Sequence, residues 1–380
     1  MFEKLLSGQP SGIFGIGYDD PTTVGIICTI ILLIMVVSGV RVVFAASIAG
    51  IIGLVELIGV GPALGNIGAI PYSKSVTFVL GLLPIFILIG FLAYQAGMTR
   101  QLYEAAKAWI GFVPGGLAVA TVFATAGFAA VSGASTATAA VFSRVAIPEM
   151  LKEGYDKKLA AGVVAAGGTL ASLIPPSAIL IIYAIIVEES VGALLLAGFL
   201  PGIFSAIVYG GIIIIWAKMN PDLGPPGRRY SFNEKMKALP GIIPIAIVIT
   251  VIISAIYAGW ATPTEAGALG AFVVLIIAIM RGLKLQALNF ALIETAKLVA
   301  MIFSIIWGVL IFVRFLGFSG LPETFANWII SLPFDPYTVL ILILLGYVIL
   351  GMFIDAIGLL LLTCLLYTSD AAGDFTSVDL

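Results

Sequence analysis

Apolar runs about as long as a bilayer is thick recur along almost the whole chain, among them Thr22 to Val40 and Ile242 to Tyr257. A helix needs roughly 20 mainly apolar residues to cross about 30 Å of hydrocarbon, and many such runs make a polytopic protein. Only 10% of the 380 residues are charged and 61% are hydrophobic, against about 25% charged in soluble domains. No aqueous fold could cover that much apolar surface. A membrane β-barrel would show alternating segments of about 10 residues, whereas these runs are unbroken. The expected fold class is an all-α polytopic membrane protein.

The charged and reactive residues exclude several functions. The net charge of −2 carries no signal for nucleic acid. Cys28 and Cys364 lie in apolar runs without metal-ligand spacing and read as inert packing residues. The chain has no histidine, which removes the commonest proton relay, the commonest metal ligand and any serine–histidine hydrolase. Residues 1–21 hold Glu3, Lys4, Asp19 and Asp20 among glycine and proline, unlike a cleaved signal.

Basic residues gather in cytoplasmic loops. The clusters are Arg41; Arg100 and Lys107; Arg144, Lys152, Lys157 and Lys158; Lys218, Arg228, Arg229, Lys235 and Lys237; then Arg281 and Lys284. Placing them all inside sends residues 22–40 inward, 43–60 outward and 76–96 inward again, with the N-terminus outside. Residues 113–143 then lie between two cytoplasmic clusters and enter and leave by one face. Two crossings satisfy that parity, as does a re-entrant hairpin, and the small residues from Val131 to Thr138 favour the hairpin. Further spans are expected at 159–187 (broken at Pro175-Pro176), 191–217, 239–259, 265–280 and 290–316.

A repeat follows from these placements. Gly97 to Glu104, leading to Trp109, Pro114 and Ser132-Gly133, has a counterpart in Gly320 to Phe325, leading to Trp328, Pro333 and Gly351 to Asp355. The first copy starts on the basic side and the second on the acidic side, so the copies are inverted, as in many secondary transporters. Each opens with a short amphipathic piece, around Thr99 to Trp109 and Leu321 to Ile330. These read as in-plane arm helices or as loop helices anchored by an interfacial tryptophan.

Three constellations carry oxygen or charge into the apolar runs. Ser132-Gly133-Ala134-Ser135-Thr136-Ala137-Thr138 offers hydroxyls beside carbonyls that a helix break would free, and a hard cation such as sodium takes oxygen ligands. The same small residues also allow tight helix packing, so both readings stay open. Gly167-Gly168-Thr169 precedes Ile174-Pro175-Pro176-Ser177, where two prolines remove two backbone donors and oppose a continuous helix. Asp355 lies deep in the run from Tyr337 to Leu366, where an ionised carboxylate costs about 2.5–3.5 kcal/mol. It requires an ion, a substrate, water or a structural partner such as Arg314 or Lys297. Two other features are bland: Thr262 or Thr264 reads as a helix cap with Glu265 near the helix start, and Glu188 and Glu189 read as solvated.

Together the motifs resemble the large membrane subunit of tripartite ATP-independent periplasmic (TRAP) transporters. The resemblance is carried by Ser132 to Thr138, Ile147-Pro148-Glu149-Met150, Gly154-Tyr155-Asp156, Ala165 to Leu170 and Leu173 to Ser177. It continues through Ala197 to Gly202, Ala261 to Ala266 and Gly351 to Asp355, and covers about residues 22–365. It implies an elevator-type carrier with two re-entrant hairpins, one per inverted repeat, that hold coupling sodium ions near their tips. Candidate ion- and substrate-binding residues are Ser132, Gly133, Ser135, Thr136, Gly168, Thr169, Pro175, Pro176, Ser177, Gly351 and Asp355, with Ser132, Ser135, Thr136 and Asp355 as sodium ligands. The implied partners are a small four-helix membrane subunit and a periplasmic solute-binding protein that delivers an organic anion. Sodium is the coupling ion, with no further cofactor, and no phosphate-binding Gly-x-x-x-x-Gly-Lys pattern is present.

The expected organisation is a periplasmic segment at 1–21, scaffold helices at 22–74, the first repeat at 75–217, a cytoplasmic loop and connecting helices at 218–289, an incomplete second repeat at 290–365 and an aberrant polar tail at 366–380. Family members continue past the second hairpin with a second Pro-Pro-Ser-like break, and the tail from Tyr367 to Leu380 looks unlike them. A rival reading is another ion-coupled carrier with inverted repeats that needs no binding protein. An intramembrane protease is disfavoured, since a serine enzyme lacks its histidine and Asp355 lacks a facing aspartate.

Overall fold

The computed structural model describes residues 20–75, 81–187, 189–331, 333–352, 356 and 358–360. Among them every regular element is helical and none is a strand. In chain order the α-helices are α1 (Pro21–Val37), α2 (Val42–Ile58), α3 (Val60–Ser75), α4 (Leu82–Gln95), α5 (Met98–Ile110), α6 (Gly116–Ser132), α7 (Ser135–Lys152) and α8 (Lys157–Thr169). They continue as α9 (Ala178–Ile186), α10 (Val191–Met219), α11 (Phe232–Ala238), α12 (Ile243–Tyr257), α13 (Pro263–Met280), α14 (Leu285–Ser319), α15 (Leu321–Ser331) and α16 (Pro336–Gly351). This is the all-α membrane fold that the apolar runs imply, and α10, α13 and α14 are each long and apolar enough to cross a bilayer.

The chain divides into two compact units, residues 1–77 with 300–380, and residues 78–299. In the first, α2 lies against the second half of α14 at very short range. A Cβ on Gly50 would stand 2.8 Å from the Phe312 backbone, and one on Gly308 would stand 2.6 Å from the Val43 carbonyl oxygen. Small residues bring membrane helices together in this way where no hydrophobic force between them exists. Gly50→Val is therefore expected to destabilise this unit by about 1–3 kcal/mol. Gly65→Ala, with no atom within 4 Å of the added methyl, is expected to be neutral or stabilising by up to about 1 kcal/mol. Thermal unfolding in detergent checks the pair, and equal melting temperatures would refute the backbone contact.

Helix α3 lies within the expected scaffold helices, in a stretch to which no span was assigned. Its glycines and Pro71 argue against a helix, but tertiary contact overrides them. The Asn66 side chain donates to the Pro62 carbonyl and accepts from the Arg314 Nε at 3.0 Å. Arg314, one of the partners considered for Asp355, thus holds α3, while Lys297 in the other unit pairs with Glu294 at 2.9 Å. Asp355 itself, Glu188, Cys364 and the polar tail lie outside the described residues.

In the second unit α6 is buried along almost its whole length, and α4, α7, α8, α10, α12 and α13 pack around it or on one another. Both amphipathic pieces are helices. The chain turns by 69° between α4 and α5 at Gly97, and α15 likewise follows a left-handed glycine, Gly320. A positive φ at both junctions is the conformation glycine adopts at least cost. The bland reading of the 260–266 turn also holds: Thr262 caps α13 and Glu265 reaches back to close a capping box.

Candidate functional site

Helices α6 and α7 form a hairpin whose open end is tied by Gly154-Tyr155-Asp156. Gly154 turns the chain with φ +83°. The Tyr155 hydroxyl accepts from the Leu117 N–H at 3.0 Å and donates to the Pro225 carbonyl at 2.7 Å. Asp156 caps α8 by accepting from the backbone of Lys158 and Leu159. The two legs meet again at Phe128 and Phe142, whose rings pack edge to face at 5.7 Å.

At the closed end Gly133 ends α6 with φ +61°, and Ala134 leads into α7 in an extended conformation. This tip meets the unwound part of the next span. The Gly133 carbonyl accepts from the Ala178 N–H at 2.8 Å, and a Cβ on Gly133 would stand 2.4 Å from the Pro176 oxygen. As the two prolines predict, α8 stops here: it tightens into a 3₁₀ turn at Leu170–Ser172, and α9 begins only at Ala178. Ser177 caps α9, accepting from the Leu180 N–H and donating to the Ser172 carbonyl. The tip touches the break and not the far end of α9, which continues for nine residues, about 13 Å at 1.5 Å per residue.

Four helix ends converge at this junction, the C-terminal ends of α6 and α8 and the N-terminal ends of α7 and α9. C-terminal ends carry partial negative charge that favours a cation, and N-terminal ends carry partial positive charge that favours a carboxylate. Ser132, fully buried, places its hydroxyl 2.6 Å from that of Thr138, also buried. Among the described residues the junction offers two hydroxyls and the backbone oxygens at its helix ends without an ionised side chain, a set that suits a hard monovalent cation.

Most of the anticipated residues gather here. Ser132, Gly133, Ser135, Pro176 and Ser177 surround the junction, with Pro175 buried beside them. Gly168 serves contact: its Cβ would stand 2.9 Å from that of Ala139, while one on Gly167 would stand 2.4 Å from the Thr125 hydroxyl. Thr169 is exposed and turned toward α10, where its hydroxyl lies 3.3 Å from that of Tyr209. Thr136 is also exposed. Thr138 and Gly90, whose Cβ would stand 2.9 Å from the Ser132 Cβ, belong to the site without having been singled out. Gly351 ends α16 in the other unit.

The hairpin is clasped to the arm helix α5 by Lys107, which donates to Glu149 at 2.6 Å. The hydrogen bond from Lys107 holds the Glu149 carboxyl below its ordinary value of 4.5. Burial opposes the charge of Lys107, but the bond to Glu149 and the nearby acidic groups outweigh it and raise the ammonium above 10.5. The contribution of Glu149 is therefore complete above pH 4.5 and is lost as pH falls through its lowered value. For Lys107 it persists until pH rises past the raised one. Melting against pH should show wild type losing an advantage of about 1 kcal/mol over Lys107→Gln on acidification; parallel curves would refute the clasp.

A family model for the DctM component of the tripartite ATP-independent periplasmic transporters matches residues 23–369. The C4-dicarboxylate TRAP transporter large permease protein DctM of Pseudomonas aeruginosa is 33% identical over 295 residues, covering 77% of this chain and 68% of that one. The sialic acid TRAP transporter large permease protein SiaM of Vibrio cholerae is 31% identical over 287 residues, covering 75% and 67%. For the isethionate TRAP transporter permease protein DctMQ of Oleidesulfovibrio alaskensis, 29% identical over 312 residues, the shares are 81% and 49%. With a match over nearly its whole length, and with Ser132 to Ser177 folded into one junction, the chain belongs to the DctM component family of these transporters, a permease component and not an enzyme.

Proposed function

We propose that this chain is the large membrane subunit of a sodium-coupled TRAP transporter, and that the hairpin tip and the Pro175-Pro176 break form an ion and carboxylate site. As a family member it is a multi-pass inner-membrane protein. The observation that carries the site is the hydrogen bond from the Ala178 N–H to the Gly133 carbonyl. It joins a hairpin tip to a broken helix partway along a span, so the hairpin is read as re-entrant, with its open end cytoplasmic and the N-terminus outside. By the inverted repeat that Gly97 and Gly320 support, the run from Gly351 to Asp355 is proposed separately as a second coupling-ion region.

Relatives are named for C4-dicarboxylate, sialic acid and isethionate, so the solute class proposed is an organic anion with a carboxylate or a similar oxyanion. It would be delivered by a periplasmic binding protein to a complex with a small membrane subunit, and carried by an elevator motion driven by the sodium gradient. Uptake into proteoliposomes is the test. Accumulation should require both inward sodium and the binding protein, and should collapse when either is omitted. Transport of free solute at the same rate without a binding protein would favour the rival carrier class.

A further inference from the structure

The arm helix α5 separates two polar crevices on the side of the unit where the hairpin opens. One, of about 400 Å³, lies between α5, the end of α4 and the end of α7, and is lined by Arg100, Glu104, Arg144, Glu149 and Lys152. The other, of about 510 Å³, is lined by Arg100, Glu104, Lys237 and Arg281. Arg100 and Glu104 are shared, so the two form one strip along the arm.

The strip carries excess positive charge. Arg100, Arg144, Lys152, Lys237 and Arg281 line the two crevices with Glu104 and Glu149 as the acidic groups among the described lining residues, and Glu149 is taken by Lys107. Lys152 and Arg100 both lie near enough to lower the Glu149 carboxyl further, yet neither forms an ion pair among the described residues. Arg144 stacks on the Phe290 ring at 5.7 Å, and Arg281 donates to the Gln101 side chain at 2.8 Å, so both guanidinium groups are oriented. Tyr103 also lines the first crevice, with its hydroxyl buried beside that of Thr121, which itself donates to the Leu117 carbonyl.

We infer that this strip binds the phosphate of an anionic phospholipid headgroup, held by Arg100, Arg144 and Lys152. The arm is amphipathic, turned 69° from the preceding helix, and ends at the exposed Trp109, an interfacial residue type that settles at headgroup level. Basic pockets between membrane helices at that level recognise anionic headgroups. A phosphate there would neutralise the strip and tie the arm to α7 beside the Lys107–Glu149 clasp.

The test uses the purified full chain in detergent, titrated with phosphatidylglycerol, phosphatidylcholine and inorganic phosphate, with binding read by native mass spectrometry and by melting temperature. Phosphatidylglycerol should bind and raise the melting temperature where phosphatidylcholine does not. Arg100→Gln with Lys152→Gln should weaken that binding roughly 30-fold, whereas Arg100→Lys with Lys152→Arg should retain it. Lys157→Gln with Lys158→Gln, which removes as much charge outside the strip, should leave it unchanged and shows that the fold tolerates such changes. If inorganic phosphate gives the same stabilisation and loses it in the same variant, the lipid source is overturned in favour of a free oxyanion. Equal binding of both lipids, or equal loss in both glutamine variants, overturns the site.

Discussion

Gly133→Ala is expected to abolish solute uptake and to destabilise the protein by about 2–5 kcal/mol. The figure joins two effects: an L-residue in the left-handed region costs about 1–2 kcal/mol, and overpacking about 1–3 kcal/mol. Both apply, since Gly133 has φ +61° and its Cβ would stand 2.4 Å from the Pro176 carbonyl oxygen. That oxygen belongs to a backbone fixed by two prolines, so the clash is relieved only by moving the tip away from the break and breaking the bond from the Ala178 N–H. Gly154→Ala is the control. It has φ +83° and open space around it, so it incurs the backbone term alone and should keep transport. Uptake by proteoliposomes and melting temperature read the two effects; Gly133→Ala moving solute at the wild-type rate would mean that the tip does not need the break.

That contact shows where reading the sequence stops. Local chemistry was legible: Pro175-Pro176 ends α8 because it removes donors, Thr262 caps α13, and Gly97 and Gly320 each release a short amphipathic helix. Each depends on residues within a turn or two of chain. Gly167-Gly168 was read together with the Pro175-Pro176 break as a candidate site, without sight of what it packs against. Thr125 and Ala139, against which these glycines pack, are distant in sequence. Thr169 has the composition of a ligand but faces Tyr209, a difference in helical phase that the 3₁₀ turn after it conceals. Helix α3 was assigned no span of its own, and what holds it is Arg314 from far along the chain. Thr138 was within the quoted motif yet passed over, because its pairing with Ser132 spans a helix break and follows no helical spacing.

The Ser132–Thr138 pair allows the ion reading to be separated from the packing reading left open by composition. The hydroxyls are buried and 2.6 Å apart. Ser132→Ala leaves the Thr138 hydroxyl without its partner, and Thr138→Val does the same to Ser132. Each is expected to destabilise by about 1–3 kcal/mol, the penalty for a buried polar group left unsatisfied. In the double variant both groups are gone, so the loss should be smaller than the sum, with a coupling of about 0.5–3 kcal/mol. Sodium affinity should behave differently if these oxygens ligate the ion, because removing both cannot restore a ligand. The sodium concentration for half-maximal uptake should then rise about tenfold or more in the double variant, the effect of losing about 1.5–3 kcal/mol of interaction with a charged group. Stability would recover while sodium dependence would not. If sodium dependence returns together with stability, the hydroxyls serve only to pack the tip, and the cation must be held by the backbone oxygens of the break.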